Sequence, residues 1–197
     1  MTGSTEFITV YDAEGRPVEI DRTAWVTQVL PATLKREWDN PGHLAALITS
    51  GLRDGFADEL RDAARRLLVI DPDPEHAALL RAVVELRSDD PAEAERILMA
   101  FLATNPPSGL VLTNLAKAQV GLGRTQEAEA TLTNALDLDP NQENGLDWMV
   151  AIHRERGGPD AVLAILTRLA ARPGAWRPQM LLARAAPSRG PARGPFA

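Results

Sequence analysis

Cysteine is absent from the 197-residue chain, which excludes disulfide bonds, cysteine nucleophiles and zinc sites with thiolate ligands. Aromatic residues make up only 5% of the chain, and no apolar run approaches the roughly 18 residues of a membrane-spanning helix. The first seven residues lack the basic and apolar regions of a secretory signal. We therefore expect a cytoplasmic protein with no membrane partner.

Lysine is also scarce, because only Lys35 and Lys117 stand among the 21 basic residues and the rest are arginines. This bias, with abundant alanine and glycine, is typical of a GC-rich bacterial genome. All 27 acidic residues lie within 1–175, whereas 176–197 hold four arginines and no acid. Because an acidic body binds polyanions poorly, we expect no nucleic-acid partner.

Proline provides the clearest internal pattern. Asp71-Pro72, Asn105-Pro106 and Asp139-Pro140 repeat one motif, and successive prolines are 34 residues apart. A fixed period of this length is typical of stacked helical repeats. Cutting the chain near these prolines predicts four units, each with two helices and a tight turn: 41–74, 75–108, 109–142 and 143–176.

The third unit shows the pattern best. Residues 110–120 are apolar at helical spacing, and the glycine-containing run 121–123 predicts a turn with a left-handed cap. Thr125 is the predicted N-cap of the second helix. Ala116 and Ala128 fall where the two helices should cross most closely, because small side chains let backbones approach.

These positions resemble the tetratricopeptide repeat, a 34-residue helical hairpin with large apolar, Leu-Gly, aromatic, small and proline slots. The large apolar slot holds Leu44, Ala78, Leu112 and Leu146, and the small slot of the second helix holds Leu60, Ala94, Ala128 and Val162. The resemblance covers about residues 41–176. It implies an all-α fold, an α-solenoid of about four hairpins wound as a right-handed superhelix.

Several slots depart from this family pattern. Arg81 replaces a leucine, and the aromatic slot holds Gly51, Glu85, Gln119 and His153 in the four successive units. These departures weaken the match of the individual units, but the period, the small slots and the prolines agree independently.

Two flanks lie outside the predicted repeats. Residues 1–40 are predicted to form a β-hairpin, at 7–20, and a helical cap with Asp21 as its N-cap and a kink or split at Pro31. Residues 177–186 are predicted to be a C-terminal capping helix, and 187–197 a disordered tail.

Acid or amide residues before prolines predict three helix starts within 40–91. Asn40-Pro41, Asp73-Pro74 and Asp90-Pro91 each place a capping side chain before a proline at the first helical position. Glu93 follows Asp90 at the spacing of a capping box. The capping role accounts for these residues without a catalytic one.

The sequence contains almost no motif that indicates catalysis or binding of a metal or cofactor. His43, His76 and His153 have no second ligand at helical spacing, so we expect no metal and no cofactor. Gly121-Leu122-Gly123 follows a helix, where a dinucleotide-binding loop would follow a strand. We therefore expect a protein that is not an enzyme, with a catalytic site near His153, Asp147 and Arg154 kept as a remote alternative.

The resemblance implies that the first helices of the units line a concave groove for a peptide or a partner helix. The projected groove residues are Leu79, Val83, Leu86, Asn114, Lys117, Asn144, Asp147, Trp148 and Arg154. By the resemblance, the Asn114 amide would grip a ligand backbone, and Lys117 and Arg154 could receive a carboxylate. The first two units lack the lysine and asparagine of such a clamp, and a plain hydrated surface is the alternative reading.

The favoured hypothesis is a non-enzymatic interaction scaffold, or adaptor, with a protein or peptide partner. The competing hypothesis is a self-assembling structural subunit, a homo-oligomer formed through the N-terminal hairpin or the C-terminal helix.

Overall fold

The computed structural model of the chain describes residues 7–11 and 14–185. Its elements confirm the predicted all-α class with an N-terminal β-hairpin and helical cap. The predicted tail, 187–197, lies outside the described residues. The chain divides into two compact units, Met1–Ala103 and Thr104–Ala197, which we describe one at a time.

The described elements follow one another along the chain with short connections. They are β1 Phe7–Tyr11, β2 Pro17–Asp21, α1 Arg22–Ala24, a π-turn Trp25–Val29, α2 Leu30–Arg36, α3 Pro41–Arg53, a 3-10 turn Asp58–Leu60, α4 Arg61–Ile70, α5 Pro74–Arg87, α6 Pro91–Leu102, α7 Gly109–Gly121, α8 Thr125–Leu138, α9 Glu143–Ala170 and α10 Trp176–Ala185. β1 and β2 pair antiparallel, with Ile8 opposite Ile20. α5 begins one residue before the predicted boundary at 75, and the four repeat boundaries stay a prediction.

Side-chain caps fix four helix starts of the first unit, as the sequence predicted. Asp21, Asn40, Asp73 and Asp90 each accept a hydrogen bond from a backbone N–H two or three residues further along. The last three precede a proline, whose missing N–H costs nothing at the first helical position. The capping box at Asp90 forms only in part, because its own N–H donates to the carbonyl of Glu85.

Residues 22–36, called the cap helix below, are helical throughout, so the predicted split at Pro31 is wrong, while the alternative of a kink stays a prediction. α1 and α2 are joined by the π-turn, in which the N–H of Leu30 donates to the carbonyl of Trp25. This wider turn lies directly before Pro31 and relieves the clash that a proline ring makes inside a regular α-helix.

The core of the first unit lies between the cap helix, α3 and α4. Leu44, Ile48, Leu60 and Leu67 are completely buried there, and Leu30 and Leu34 of the cap helix and Ile8 of the hairpin join them. Burial of Ile8 against this core explains how a two-stranded sheet, marginal by itself, is held in place.

Two departures from the repeat pattern compensate each other in this core. Leu60 stands in the slot for a small residue, and Gly51 stands in the slot for an aromatic residue. A Cβ atom added at Gly51 would lie 2.9 Å from Leu60 Cδ1. The glycine therefore supplies the space that the larger leucine occupies.

A second pair of departures forms a buried ion cluster, Arg81 and Glu85 on α5 with Arg61 on α4. Glu85 is fully buried and Arg81 is 4% exposed. The guanidinium of Arg81 pairs with Glu85, and Arg61 Nη1 lies 3.0 Å from Glu85 Oε2. Burial lowers the pKa of Arg81, while the charge of Glu85 raises it.

Backbone carbonyls complete this ion cluster. Arg81 Nη1 donates to the carbonyl of Arg61 at 2.7 Å, and Arg61 Nη2 donates to the carbonyl of Ser88 at 3.1 Å. The cluster therefore links α4 to α5 and to the turn that follows α5. Such a network is costly to break at one member, because the remaining charge is left buried.

The second unit is built around the crossing of α7 and α8. Ala116 and Ala128 are both buried there, together with Leu132, Leu136 and the α9 residue Met149. This outcome agrees with the expectation that these alanines lie where the helices approach most closely.

The turn between α7 and α8 has the expected glycine but a different cap. Gly123 adopts a φ of 77°, and the N–H of Arg124 donates to the carbonyl of Gln119 at 2.9 Å. The predicted N-cap is wrong by one residue, because Arg124 occupies the cap position and α8 begins at Thr125 itself. In the aromatic slot, Gln119 Nε2 donates to Glu127 Oε1 at 3.0 Å.

α9 consists of two helical parts, 143–156 and 159–170, separated by two glycines. Gly158 has a φ of 62°, in the left-handed region that favours glycine, and Pro159 opens the second part. The two parts pack through Met149, Ile165 and Leu166, and α10 closes this core with Leu181 and Leu182.

A tyrosine restored to the aromatic slot should destabilise the first unit. We expect Gly51→Tyr to lower the free energy of unfolding by at least about 1–3 kcal/mol, because Leu60 occupies the space. Urea unfolding followed by circular dichroism measures the change. The matched control is His153→Tyr, at the same slot where the side chain is half-buried, with an expected change within about 0.5 kcal/mol. Equal losses in the two variants would contradict the compensation.

The ion cluster should show strong coupling between Arg81 and Glu85. Arg81→Leu should cost about 3–5 kcal/mol, because it removes one of the charges paired with Glu85. The double variant Arg81→Leu/Glu85→Tyr puts a leucine and an aromatic residue back at the repeat positions that call for them. It should recover most of the stability lost in Arg81→Leu. Denaturant unfolding of the singles and the double gives the coupling. The control is Arg172→Leu, which breaks a partly exposed pair with Asp137 and should cost at most about 1 kcal/mol. Additive losses would refute the coupling.

Candidate functional site

All nine projected groove residues lie on the first helix of a helical hairpin. α5 carries Leu79, Val83 and Leu86, α7 carries Asn114 and Lys117, and the first part of α9 carries Asn144, Asp147, Trp148 and Arg154. The α5 residues belong to the first unit and the other six to the second. Their assignment to one concave groove stays a prediction.

Leu79, Val83 and Leu86, called the α5 stripe below, form an apolar stripe at helical spacing. Their side chains are half-buried. They are not members of the buried cluster formed by the cap helix, α3 and α4. The α5 stripe therefore keeps apolar area at the surface of the first unit.

α7 presents one amide and one ammonium group. Asn114 is half-buried, and its Nδ2 donates to the carbonyl of Leu110 in the same helix at 3.0 Å. One amide hydrogen is thus engaged, while the amide oxygen makes no hydrogen bond with the part of the chain that the structure describes. Lys117 is exposed one turn further along. The Asn114 amide retains its acceptor for an incoming N–H group.

The first part of α9 carries three exposed polar residues, Asn144, Asp147 and Arg154, called the α9 stripe below. None of the three makes a side-chain hydrogen bond or ion pair with residues 7–11 or 14–185. Some other exposed charges in this unit do pair, as Arg156 does with Glu129 at 2.6 Å. The α9 stripe therefore combines an amide, a carboxylate and a guanidinium whose hydrogen-bonding capacity is unused within the described chain.

Trp148 lies beside this stripe and borders a cavity of about 190 Å³. The indole packs partly against the core of the second unit. The cavity is lined further by Val120 of α7, by Thr125, Ala128 and Glu129 of α8, and by Ile152, Glu155 and Arg156 of α9. A half-buried indole beside a small cavity with both apolar and charged walls is a suitable anchor point for a ligand side chain with an apolar body.

The residues of the alternative catalytic site are not assembled into one. His153 is half-buried on α9, and within the described residues its ring makes no hydrogen bond to Asp147 or Arg154. A general base needs a partner within hydrogen-bond reach. Across the described parts of the chain, no three histidine, aspartate or glutamate side chains are grouped so that they could bind a metal ion.

A large cavity in the first unit was not predicted from the sequence. This cavity, the cap groove, has a volume of about 680 Å³. Its lining comes from the cap helix and its C-terminal end, and from the 3-10 turn and α4: Val26, Leu30, Pro31, Leu34, Lys35, Trp38, Asp39, Glu59, Asp62 and Ala63. Nothing in the sequence indicated that α4 would leave part of the apolar face of the cap helix open.

The two regions suggested for self-assembly both expose apolar side chains. Phe7 of β1 is 59% exposed, and Trp176 at the start of α10 is 56% exposed. Pairing through either region stays a prediction. Among the described helices, none has the length and hydrophobicity needed to cross a bilayer.

The geometry of both units defines a helical-hairpin repeat protein, and comparison with known proteins identifies the repeat. The family model described as tetratricopeptide repeat matches residues 85–146. The match confirms, for this part of the chain, the tetratricopeptide repeat predicted from the sequence.

Solved structures extend the similarity to most of the chain. TTC0263, a thermophilic TPR protein in Thermus thermophilus, is 18% identical, with a TM-score of 0.59 over 83% of this chain and 89% of that chain. MamA is 13% identical, with a TM-score of 0.56 over 80% and 88%. The fragment MamA 41-end from Desulfovibrio magneticus is 17% identical, with a TM-score of 0.55 over 85% and 90%. At these identities the similarity shows the fold alone.

No curated protein sequence matches the chain. The tetratricopeptide fold supports a general role as a protein-interaction scaffold and suggests protein partners. Proteins of this family are generally not enzymes.

Proposed function

We propose that the chain is a non-catalytic adaptor that binds a peptide or a helix of a partner protein along the first helices of its hairpins. The observation that carries the proposal is the α9 stripe, because its amide, carboxylate and guanidinium have no partner within the described chain. Polar groups on a helix that are not used internally can direct hydrogen bonds to a ligand.

The mechanism is rigid presentation. The first part of α9 is fixed by burial of Leu146 and Met149, which are at most 1% exposed. The backbone beneath Asn144 and Asp147 is therefore ordered before a ligand arrives. A ligand then restricts only a few side-chain rotamers, which limits the entropy lost on binding.

The chemistry of the site favours an amphipathic segment as the ligand. The cavity at Trp148 would take one apolar side chain, while the α9 stripe would hold polar groups on the same segment. Arg154 suits a carboxylate, and Asp147 suits a basic side chain or an N–H group. The α5 stripe would offer a separate apolar surface in the first unit.

Removal of the α9 stripe should abolish partner binding without unfolding the chain. We expect Asn144→Ala/Asp147→Ala/Arg154→Ala to lose at least about 90% of the partner captured by wild type, because these exposed side chains make no internal bonds. Affinity capture from a bacterial lysate, quantified by mass spectrometry, measures the loss.

The matched control removes the same three chemical groups from second helices. Gln126→Ala/Asp160→Ala/Arg168→Ala changes an exposed amide, carboxylate and guanidinium on α8 and the second part of α9, and it should retain capture. Equal capture by the two triple variants would assign binding to another surface. Thermal melts of both should agree with wild type within a few degrees.

Trp148 should report ligand binding directly. With 5-fluorotryptophan incorporated, ¹⁹F NMR resolves the four tryptophans, and a Trp148→Phe sample assigns the signal. A partner peptide mapped from the captured protein should shift or broaden the Trp148 signal, because the indole borders the occupied cavity. The signals of Trp25 and Trp38, in the first unit, should change less. A binding peptide that leaves the Trp148 signal unchanged would contradict the role of this cavity.

A further inference from the structure

Contacts near both ends of the cap helix attach it to the rest of the first unit. At one end Arg22 donates to the carbonyls of Asp54 and Gly55, at 3.2 and 3.0 Å, and stacks 4.3 Å above the ring of Phe56. At the other end Arg66 of α4 pairs with Asp39 at 2.5 Å. The cap helix is thus attached to the rest of the first unit near both ends, and the groove lies between these attachments.

The open middle of the groove is apolar. Leu30, Leu34 and Ala63 are buried at its floor, and Val26 and Trp38 are half-buried on the walls. From residue 26 to the end of the cap helix at residue 36 the helical rise gives a length of roughly 15 Å. A groove of this length and a volume of about 680 Å³ accommodates a row of side chains from another helix.

The charges on the rim determine what that helix must carry. Asp39 pairs with Arg66, and Asp62 pairs with Arg65. Two rim charges remain, Lys35 on the cap-helix wall and Glu59 on the wall formed by the 3-10 turn. Neither makes an ion pair or hydrogen bond within residues 7–11 and 14–185.

The groove has one unpaired cation on one wall and one unpaired anion on the other, so two copies of it can pair these charges with each other. A two-fold axis along the groove places Lys35 of each copy opposite Glu59 of the other copy. All four charges are then paired, and the apolar floors of both grooves are shielded from water. A different partner would have to carry the same two charges in the reversed arrangement.

We propose that the cap groove is a homodimer interface, in which a second copy of this chain packs its cap helix against the groove and pairs its Lys35 with Glu59. The interface lies in the first unit and does not involve the α9 stripe. If the dimer proposal fails, the proposed adaptor function is therefore unaffected. Loss of partner capture would likewise leave the dimer proposal unaffected.

A charge-swap cycle on the full chain tests the proposal. Sedimentation velocity from about 1 to about 200 µM should show a dimer for wild type. Lys35→Glu and Glu59→Lys should each weaken dimerisation at least about tenfold, because each change places two like-charged pairs at the interface. The double variant Lys35→Glu/Glu59→Lys should restore dimerisation, since both pairs are reversed together.

Controls separate the groove from general charge effects. Arg168→Glu and Asp160→Lys make the same charge changes on the second part of α9, where both residues are exposed, and should leave dimerisation unchanged. Pro31→Glu, at an exposed groove position, should give a monomer with an unchanged circular dichroism spectrum. A monomeric wild type at about 200 µM overturns the proposal, and so does a dimer that persists in the single swaps. A double variant that stays monomeric also overturns it.

The absence of cysteine provides a second readout. Chains carrying Lys35→Cys are mixed with chains carrying Glu59→Cys under mild oxidation, and the proposal expects a covalent dimer between the two types. Arg168→Cys mixed with Glu59→Cys is the control. Equal yields in the two mixtures would show that Lys35 and Glu59 do not meet across an interface.

Discussion

The close crossing of the two helices within a hairpin is the constraint on which the fold depends. At a crossing, the volume and polarity of one side chain determine what the facing helix can carry, because interiors are packed to crystal density. In the second unit the crossing uses two alanines, Ala116 and Ala128, both almost completely buried. In the first unit the space is divided unequally between Gly51 and Leu60. Both solutions keep the backbones close, so the same hairpin tolerates different residues at the slots that define its family.

Polar residues at the aromatic slot are likewise accommodated by a change at a neighbouring position. Glu85 is tolerated because Arg81 lies one turn earlier on the same helix and Arg61 faces it from α4. Gln119 is tolerated because Glu127 accepts its amide hydrogen. A buried ion pair adds little net stability, since desolvation offsets much of the attraction. It does exclude other pairings of α4 with α5, because any slip would leave a buried charge unpaired. The ion cluster therefore contributes specificity of packing more than stability.

Much of the fold could be predicted from the sequence, because its signals are local. The proline period gave the hairpins, and capping residues such as Asn40 and Asp90 gave helix starts. Two local errors, the split at Pro31 and the cap at Thr125, arose because a π-turn and a glycine-assisted turn changed the expected geometry. The Arg81–Glu85 pair was noted as two separate departures, although its four-residue spacing was the available signal. The cap groove could not be predicted, because it depends on where the Arg22 and Arg66 contacts hold the cap helix.

Ion pairs within the described chain are the background against which unpaired surface charges stand out. The described chain pairs many of its charges, including exposed ones such as Arg172 with Asp137. Exposed pairs of this kind form wherever two side chains can reach each other, since the cost is small. Side chains without partners in the described chain include those of the α9 stripe and of Lys35 and Glu59, and also exposed residues such as Asp160 and Arg168. Lys35 and Glu59 differ from these because they line one apolar groove, where a second copy related by a two-fold axis would bring the complementary charge to both at once.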